Sequence, residues 1–259
     1  MRRRAALLAP LALAGPALGQ APSLKLRVGL AAGYAPFSEV GSDGQLKGFE
    51  VDLAHALCAR MGLQCVPVML DFDGLIPALR ARKIDAIMAS MSVTPERQQL
   101  IAFSSAYYYS PVRMVVRTDS RPDVSPAGMR GKRIGVERGT IHERLLAAQF
   151  KDSQVLRYAT QDQAFLDLRA GRLDATLVDA VIAQFGFLNR SEGRGFAFAG
   201  PDFGRDEQYY GKGIAVGLRK ADAQTLGVRL DEALAALRSS GALKALNDRY
   251  FSFDLVTPR

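Results

Sequence analysis

The sequence predicts an α/β protein that folds as two lobes, each built around a sheet rich in parallel strands. Short apolar runs that suit buried strands alternate with segments in which apolar residues have helical spacing. This alternation restarts after Pro111, so the chain carries two sets of strand–helix units. A ligand of such a protein is expected between the lobes, where the carboxyl ends of the parallel strands meet.

The first set of elements contains one clear amphipathic helix. Phe49, Leu53, Leu57 and Met61 recur at every fourth position and share one face, and Gly62 supplies a stop. For this set we predict strands at residues 24–30, 65–70 and 84–89, and helices at residues 48–61, at residues 73–82 and from Pro95 onward.

The second set is marked by glycines at the ends of its helices. Gly139 and Thr140 precede a helix start, and Gly171 ends the next helix. We predict strands at residues 112–116, 133–136, 155–158, 175–178 and 213–218, and helices after Thr140 and at residues 161–170, 179–188, 221–238 and 241–250.

The N-terminus predicts export. Residues 1–4 are positively charged, residues 5–18 are apolar but broken by proline and glycine, and residues 17–19 offer small side chains for cleavage. We interpret residues 1–19 as a secretory signal peptide, cleaved near Gly19, that sends the protein to the periplasm. No cysteine follows the cleavage point, so we do not expect a lipid anchor.

The charge of the chain argues against a nucleic-acid partner. The formal net charge of +8 falls to +5 without the three arginines of the signal peptide, and the remaining charges are scattered. Basic runs with interleaved aromatic residues are missing from the sequence. The histidines and cysteines also lack the spacing of metal ligands. We expect a monomer without a metal ion or cofactor.

Residues 90–97, with the sequence SMSVTPER, have the composition of a carboxylate site. They follow an apolar strand, and Thr94 and Pro95 suit the N-cap and first position of a helix. A helix N-terminus exposes N–H groups that favour an anion, and the guanidinium of Arg97 can hold a carboxylate with two hydrogen bonds. The alternative is an ordinary strand-to-helix turn with a solvated arginine.

Cys58 and Cys65 are the only cysteines of the sequence, and cysteines of exported proteins tend to pair. Cys58 lies in the last turn of the predicted helix at residues 48–61, and Cys65 begins the next strand. We predict a disulfide between them. Two unpaired thiols are the alternative.

An ordered set of motifs resembles a known family. The chain is similar to the extracellular solute-binding proteins of the polar amino acid group, and within it to the lysine/arginine/ornithine-binding and histidine-binding receptors of ABC importers. The similarity covers nearly all of residues 24–255. Its motifs are residues 48–54 (GFEVDLA), the cysteine pair, and residues 71–77 (DFDGLIP), 83–86 (KIDA), 170–175 (AGRLDA), 197–201 (AFAGP) and 217–220 (GLRK).

This resemblance implies a type II periplasmic-binding-protein fold, in which two crossing strands hinge the lobes. The crossings would fall near residues 109–111 and 202–205. Residues 24–109 and 206–259 would then form the first lobe, and residues 110–205 the second.

The resemblance also implies roles for residues that would hold the backbone of an amino acid. Arg97, the Ser92 hydroxyl and N–H groups near Ser90 and Ser92 would bind the ligand carboxylate. N–H groups at Thr140 and Ile141 would approach it from the second lobe, although relatives often carry a hydroxyl where this chain has Ile141.

Three further residues would hold the rest of the ligand. Asp179 would pair with the ammonium group, and its alternative role is a helix N-cap. Tyr34 and Phe72 would be aromatic walls for the ligand side chain, and their alternative role is core packing.

The sequence departs from the family where the ligand side chain is recognised. Ala31 stands where lysine and arginine receptors often place an acid, and Ala89 replaces a serine of some relatives but keeps its carbonyl as an acceptor for the ammonium. Glu137 could supply the missing negative charge from the other lobe, or could instead pair with Arg138 or another neighbour. His142 could touch a long ligand, or could be a solvated residue of the first helical turn.

The resemblance therefore implies a periplasmic receptor that delivers a polar, cationic L-amino acid to an ABC permease of the inner membrane. Arginine, lysine, ornithine and histidine are the expected ligands. A receptor for a neutral polar amino acid or an opine-like derivative is one alternative. The other is an exported cyclohexadienyl dehydratase, for which Glu137 and His142 are the candidate acids. We expect no enzymatic activity, because no nucleophile–base pair or phosphate loop is apparent.

Overall fold

The computed structural model describes residues 24–120 and 122–257. The predicted signal peptide lies outside these residues. Within them, no helix is both long enough and apolar enough to cross a membrane.

Twelve strands and eight α-helices are assigned in the described part of the chain. The strands are β1 (Lys25–Ala31), β2 (Glu39–Val40), β3 (Leu46–Lys47), β4 (Gln64–Leu70), β5 (Ala86–Ile87), β6 (Ala102–Tyr108), β7 (Val112–Arg117), β8 (Arg133–Glu137), β9 (Gln154–Tyr158), β10 (Ala175–Asp179), β11 (Phe196–Ala199) and β12 (Ile214–Leu218). The helices are α1 (Phe49–Arg60), α2 (Leu75–Arg80), α3 (Pro95–Leu100), α4 (Ile141–Gln149), α5 (Gln161–Arg169), α6 (Glu207–Tyr210), α7 (Val228–Ser239) and α8 (Ala242–Tyr250).

The strands form two five-stranded sheets, one in each lobe. The first lobe has the order β4-β1-β5-β12-β6, and β12 is the strand that runs antiparallel to its neighbours. The second lobe has the order β11-β7-β10-β8-β9, in which β8, β9 and β10 are parallel. The chain passes from the first sheet to the second between Tyr108 and Val112, and returns between Ala199 and Ile214. The predicted two-lobed α/β fold is thus confirmed.

Helices cover the sheets and build the core. The apolar face of α1 is buried as predicted, with Phe49, Leu53 and Leu57 at most 1% exposed, and α1 packs against β4, α7 and α8. In the second lobe, α4 and α5 both pack against β8. Apolar residues of the α4 side form their own cluster, whereas those on the α5 side join the core of the first lobe.

The two connections between the lobes are tied together by one side chain. The carboxylate of Asp202 accepts hydrogen bonds from the N–H of Val112 at 2.8 Å and from the N–H of Gly204 at 2.9 Å. Beyond Asp202, α6 packs against α4 of the second lobe, although the predicted boundary at residue 206 assigns it to the first. The positions of the lobe boundaries stay a prediction.

Four strands are not predicted by the sequence pattern: the short pair β2 and β3, and the longer strands β6 and β11. β6 contains two serines and lacks a continuous apolar run, but the structure buries Ser104, whose hydroxyl accepts a hydrogen bond from the N–H of Val216 at 3.0 Å. The sheet ladder between β6 and β12 is irregular at the same place, where its register shifts. A hydrogen bond of the Ser104 side chain thus stands where a strand predicted from its apolar residues would have an apolar contact.

Two predicted elements differ in extent. The strand expected at residues 84–89 is reduced to the two residues of β5, because the chain then turns through Ser90, which has a positive φ of 50°. The helix expected from Asp179 begins later, since β10 extends through Asp179, and Ile182–Leu188 is a π-helix. Asp179 is therefore the last residue of a strand and directly precedes helical residues, but no helix N–H of the described chain donates a hydrogen bond to its carboxylate.

Candidate functional site

The predicted site residues gather where strands of both sheets end. Tyr34 and Phe72 follow β1 and β4, and Arg97 lies in α3 after β5. From the second lobe, Glu137 ends β8 and Asp179 ends β10. All five side chains are buried, and they come together because the carboxyl ends of the parallel strands in each lobe face the same cleft.

One hydrogen bond joins the lobes in the middle of this site. The Tyr34 hydroxyl donates to Oδ2 of Asp179 at 2.6 Å. Burial, followed by the negative charges of Asp179 and Glu137, raises the pKa of Tyr34 well above its usual value, so the hydroxyl keeps its proton. The sequence predicted an aromatic wall at Tyr34 but not this polar role of its hydroxyl.

The second charged group of the site is the guanidinium of Arg97, which is only 7% exposed. It donates to the carbonyl of Ser92 at 3.1 Å and, across the cleft, to the carbonyl of Gly139 at 3.4 Å. Its Cζ lies 5.2 Å from the centre of the Phe72 ring. No ion pair to Arg97 occurs within residues 24–120 and 122–257.

The surroundings of Arg97 suit a carboxylate ligand. Burial lowers its pKa to about 10, so the group remains a cation at neutral pH. A buried cation without an acidic partner favours an anion beside it. The alternative of a solvated arginine is wrong. The predicted helix start is confirmed, because the Thr94 hydroxyl accepts a hydrogen bond from the N–H of Arg97 at 3.3 Å.

The N-terminus of α4 lies close to Arg97 in the opposite lobe. The Thr140 hydroxyl donates to the carbonyl of Glu137 at 2.7 Å and accepts from the N–H of Glu143 at 3.3 Å, so it caps the helix. Thr140 therefore offers a ligand its backbone N–H rather than its side chain. Contacts of Thr140 and Ile141 with a ligand carboxylate stay a prediction.

Ser90 has a role that differs from the predicted one. Its N–H, expected to face the ligand carboxylate, donates to Oε1 of Glu50 at 2.8 Å, and its hydroxyl contacts Glu50 and Tyr108. These donors are therefore engaged inside the first lobe, and Ser90 adopts a positive φ of 50° at this point of the loop. What Ser90 and the preceding Ala89 can offer a ligand is their backbone carbonyls.

Glu50 is a buried acid that sequence reasoning missed as part of the site. It is fully buried in α1 and also accepts a hydrogen bond from the Tyr107 hydroxyl at the end of β6. Burial raises the pKa of Glu50 to about 7, although its hydrogen bonds oppose the shift. Glu50 thus connects the loop at Ser90 to the strand that leads into the first crossing. Its place in the GFEVDLA motif was the available signal.

The third charged group of the site, Glu137, has an unsatisfied carboxyl oxygen. Its side chain is 2% exposed, and Oε1 has no hydrogen-bond partner within the described residues. Burial, followed by the charges of Asp179, Asp162, Asp71 and Asp73, raises its pKa well above the usual value. The alternative pairing with Arg138 is wrong.

Arg138 instead joins the lobes at the rim of the site. Its Nε donates to Oδ2 of Asp73 at 2.5 Å. Arg144 of the second lobe pairs with Glu96 of the first. A third pair, Arg190 with Glu39, has a separation of 3.4 Å. Three ion pairs therefore hold the lobes together in a closed arrangement around the buried site.

His142 and Tyr210 add two further unpaired polar atoms. His142 is 3% exposed, so the alternative of a solvated residue is wrong. Its Nε2 lies 3.7 Å from Oδ2 of Asp179, and its ring centre lies 5.7 Å from that of Tyr210. Nδ1 of His142 and the Tyr210 hydroxyl have no partner among the described residues. His142 therefore lies against the same Asp179 oxygen that accepts the hydrogen bond of Tyr34.

The cysteines stand close together without a bond between them. Both are free thiols in the structure, so the predicted disulfide is not formed there. A hydrogen bond between the two thiols lowers the pKa of Cys58 and raises that of Cys65. The turn between α1 and β4 brings them together, and their pairing in the exported protein stays a prediction. No group of three potential metal ligands is found among residues 24–120 and 122–257.

The two lobes close around the buried guanidinium of Arg97 and the buried carboxyl groups of Asp179 and Glu137. A site with groups of both charges suits a small zwitterion. The chain belongs to the bacterial extracellular solute-binding proteins, family 3, whose sequence profile matches residues 26–253. The predicted resemblance is thereby confirmed.

Individual relatives support the same assignment. Over 256 residues, 98% of each chain, the sequence is 42% identical to an L-arginine-binding protein of Pseudomonas aeruginosa. Over 232 residues, 89% of this chain and 88% of the other, it is 41% identical to a lysine/arginine/ornithine-binding periplasmic protein of Escherichia coli. Among solved structures, a Salmonella typhimurium periplasmic binding protein with high arginine specificity superposes with a TM-score of 0.82 at 31% identity, covering 89% of this chain and 100% of that one.

Proposed function

We propose that the protein is a periplasmic receptor for a cationic L-amino acid, namely arginine, lysine, ornithine or histidine, which it delivers to an ABC import permease. The ligand carboxylate binds Arg97 and the N–H groups at the start of α4. The ligand ammonium binds Asp179. The side chain lies between Tyr34 and Phe72 and presents its positive charge to Glu137.

The observation that carries this proposal is the unpaired carboxyl oxygen of Glu137. A neutral ligand would leave this buried acid without a charged partner, whereas a guanidinium or ammonium group would satisfy it. Asp162, Asp71 and Asp73 add negative charge around it. The names of the relatives that bind arginine, lysine and ornithine support the same ligand class.

A thermal-shift panel tests the ligand class. Arginine, lysine, ornithine and histidine are compared with citrulline, the neutral isostere of arginine, and with glutamine. A ligand at about 100 times its Kd stabilises the folded state by about 2.7 kcal/mol. For a chain of this size, that corresponds to a rise in Tm of about 5–10 °C. A larger rise with citrulline or glutamine than with any cation would contradict the proposal.

Catalysis by an exported dehydratase is the second candidate, because Glu137 and His142 are buried acid–base groups beside the site. A carboxyl group whose pKa is raised well above its usual value, as burial raises that of Glu137, could act as a general acid. The Arg97 and Asp179 pair instead suits an intact amino acid held at both ends, and we favour binding without chemistry. Incubation of the protein with prephenate or arogenate tests this, since an aromatic product would establish the enzyme.

A further inference from the structure

We infer that the binding of a cationic amino acid expels one proton from Glu137 into the solvent, so that ligand affinity depends on pH. This inference rests on the proposed ligand class. Its basis is a cluster of acids around a carboxyl oxygen that no other group of the described chain satisfies.

The charges that act most strongly on Glu137 are negative. Asp179 faces it from β10, Asp162 from the start of α5, and Asp71 and Asp73 from the segment after β4. The neighbouring cation, Arg138, is engaged with Asp73.

Other charged and polar groups of the cleft do not compensate the negative charge around Glu137. Asp162 is partly compensated by Arg190, and the guanidinium of Arg97 is directed to two backbone carbonyls. The Tyr34 hydroxyl donates to Asp179, and His142 lies against the same carboxylate. Within the described residues, therefore, no ion pair to Glu137 and no hydrogen bond to its Oε1 stabilises the ionised form before the ligand arrives.

A buried carboxyl group in such surroundings retains its proton, because ionisation would place an unpaired charge in a site of low dielectric constant. Burial and the four aspartates raise the pKa of Glu137 accordingly. A guanidinium or ammonium group of the ligand reverses this balance, since an opposite charge at hydrogen-bond distance favours the carboxylate. The O–H bond of the neutral acid then breaks, the electron pair stays on the carboxylate, and the proton leaves to the buffer.

The sign of the pH dependence follows from this exchange. A binding step that releases a proton becomes more favourable as the pH rises, and affinity for arginine increases by up to about tenfold per pH unit. The increase holds between the pKa of Glu137 in the complex and that in the free protein. Citrulline, which carries no side-chain charge, leaves Glu137 protonated and binds with little dependence on pH.

Isothermal titration calorimetry in two buffers with different ionisation enthalpies, at the same near-neutral pH, counts the protons exchanged. We expect about one proton released for arginine and close to none for citrulline. Both ligands carry the same α-ammonium and α-carboxylate, so the difference isolates the side chain. If none of arginine, lysine, ornithine and histidine binds, the proposed function fails; if another of these cations binds instead of arginine, it replaces arginine in the titration. If arginine binds and releases no more protons than citrulline, the proton release is refuted while the function stands.

Three variants identify the source of the proton. Glu137→Gln should abolish the release with arginine, and Glu50→Gln should retain it, although the pKa of Glu50 is about 7. His142→Gln should also retain it. A release that persists in Glu137→Gln, or that disappears in Glu50→Gln or His142→Gln, would assign the proton to another group and overturn the inference. Because the comparison of arginine with citrulline uses the unaltered protein, a variant that fails to fold does not prevent the test.

Discussion

The hydroxyl of Tyr34 and the carboxylate of Asp179 meet across the cleft in a buried hydrogen bond of 2.6 Å. One partner follows the first strand of the first sheet, and the other ends a strand of the second sheet, 145 residues further along the chain. Because the two residues belong to different lobes, separation of the lobes would break the bond. The bond also orients the carboxylate that we assign to the ligand ammonium, so closure and ligand recognition share one group.

Removal of the Tyr34 hydroxyl should therefore weaken binding without removing the aromatic wall. Tyr34→Phe is expected to lose about 1.5–3 kcal/mol of binding free energy, the usual contribution of a hydrogen bond to a charged group. Calorimetry with arginine measures the loss, and Tyr34→Ala should lose more because the ring is also removed. Unchanged affinity in Tyr34→Phe would show that the bond to Asp179 does not contribute to the liganded form.

Arg97 should be essential for binding and dispensable for folding. Arg97→Ala is expected to cost about 2–5 kcal/mol of binding free energy, because the ligand carboxylate would remain buried without its charged partner. The helix cap does not need the guanidinium, since the Thr94 hydroxyl accepts from the backbone N–H of residue 97. Circular dichroism should remain native. Near-normal affinity in a folded Arg97→Ala protein would refute the assignment of the carboxylate site.

Much of the fold could be predicted from the sequence. The spacing of apolar residues and the glycine at its end specify α1, and runs of apolar residues specify the strands β1 and β4. β6 was not predicted because it buries a polar residue, Ser104, whose hydroxyl accepts a hydrogen bond from an N–H of the neighbouring strand. The pattern of apolar residues carries no information about such a bond.

The site was predictable only in part. Arg97 follows a strand and Asp179 ends one, and their charges complement the carboxylate and the ammonium of an amino acid. The family motif and the chemistry of the side chains therefore predict the same two residues. The hydrogen bond from the Ser90 N–H to Glu50 is accompanied by a positive φ in a residue other than glycine, which no local signal indicates. The hydroxyl contact of Tyr34 depends on the approach of a second lobe. Contacts between distant segments of this kind cannot be read from local periodicity.

Closure of the lobes depends on a glycine at a close interlobe contact. A Cβ on Gly186, in the π-helix, would lie 2.8 Å from the carbonyl oxygen of Ala35 in the first lobe, closer than such atoms approach. Gly186→Ala should therefore hold the lobes apart, lower affinity and enlarge the liganded radius of gyration in small-angle scattering. Stability without ligand should be maintained, because alanine favours helix more than glycine does.

Gly74→Ala is the matched control for this prediction. Its Cβ would meet nothing within 4 Å, although Gly74 lies two residues from Phe72 in the same site loop. This variant should bind as the unaltered protein does. Equal affinities for Gly186→Ala and Gly74→Ala would mean that the contact with Ala35 does not limit closure.

The stability of the unliganded protein should carry a pH dependence from Glu50. Burial raises the pKa of this group from 4.5 to about 7. A raised acid pKa favours folding below the unfolded value, and this contribution is lost as the pH rises through the folded value. The loss amounts to roughly 3 kcal/mol between pH 4.5 and neutrality.

Denaturant unfolding of the unaltered protein and of Glu50→Gln, measured at several pH values, checks this prediction. Glutamine can still accept the hydrogen bonds of the Ser90 N–H and the Tyr107 hydroxyl but does not ionise. The variant should gain stability relative to the unaltered protein as the pH rises from about 4.5 to 7. A difference between the two proteins that stays constant over this range would mean that Glu50 does not titrate there.

The central claim is that Glu137 recognises the positive charge of the ligand, and its most direct test is calorimetry of arginine and citrulline with the unaltered protein and Glu137→Gln. The unaltered protein should prefer arginine by about 1.5–3 kcal/mol, the range for a hydrogen bond to a charged group. Glu137→Gln should lose most of that preference while its affinity for citrulline changes little. Equal losses for both ligands, or an unchanged preference for arginine, would contradict the account.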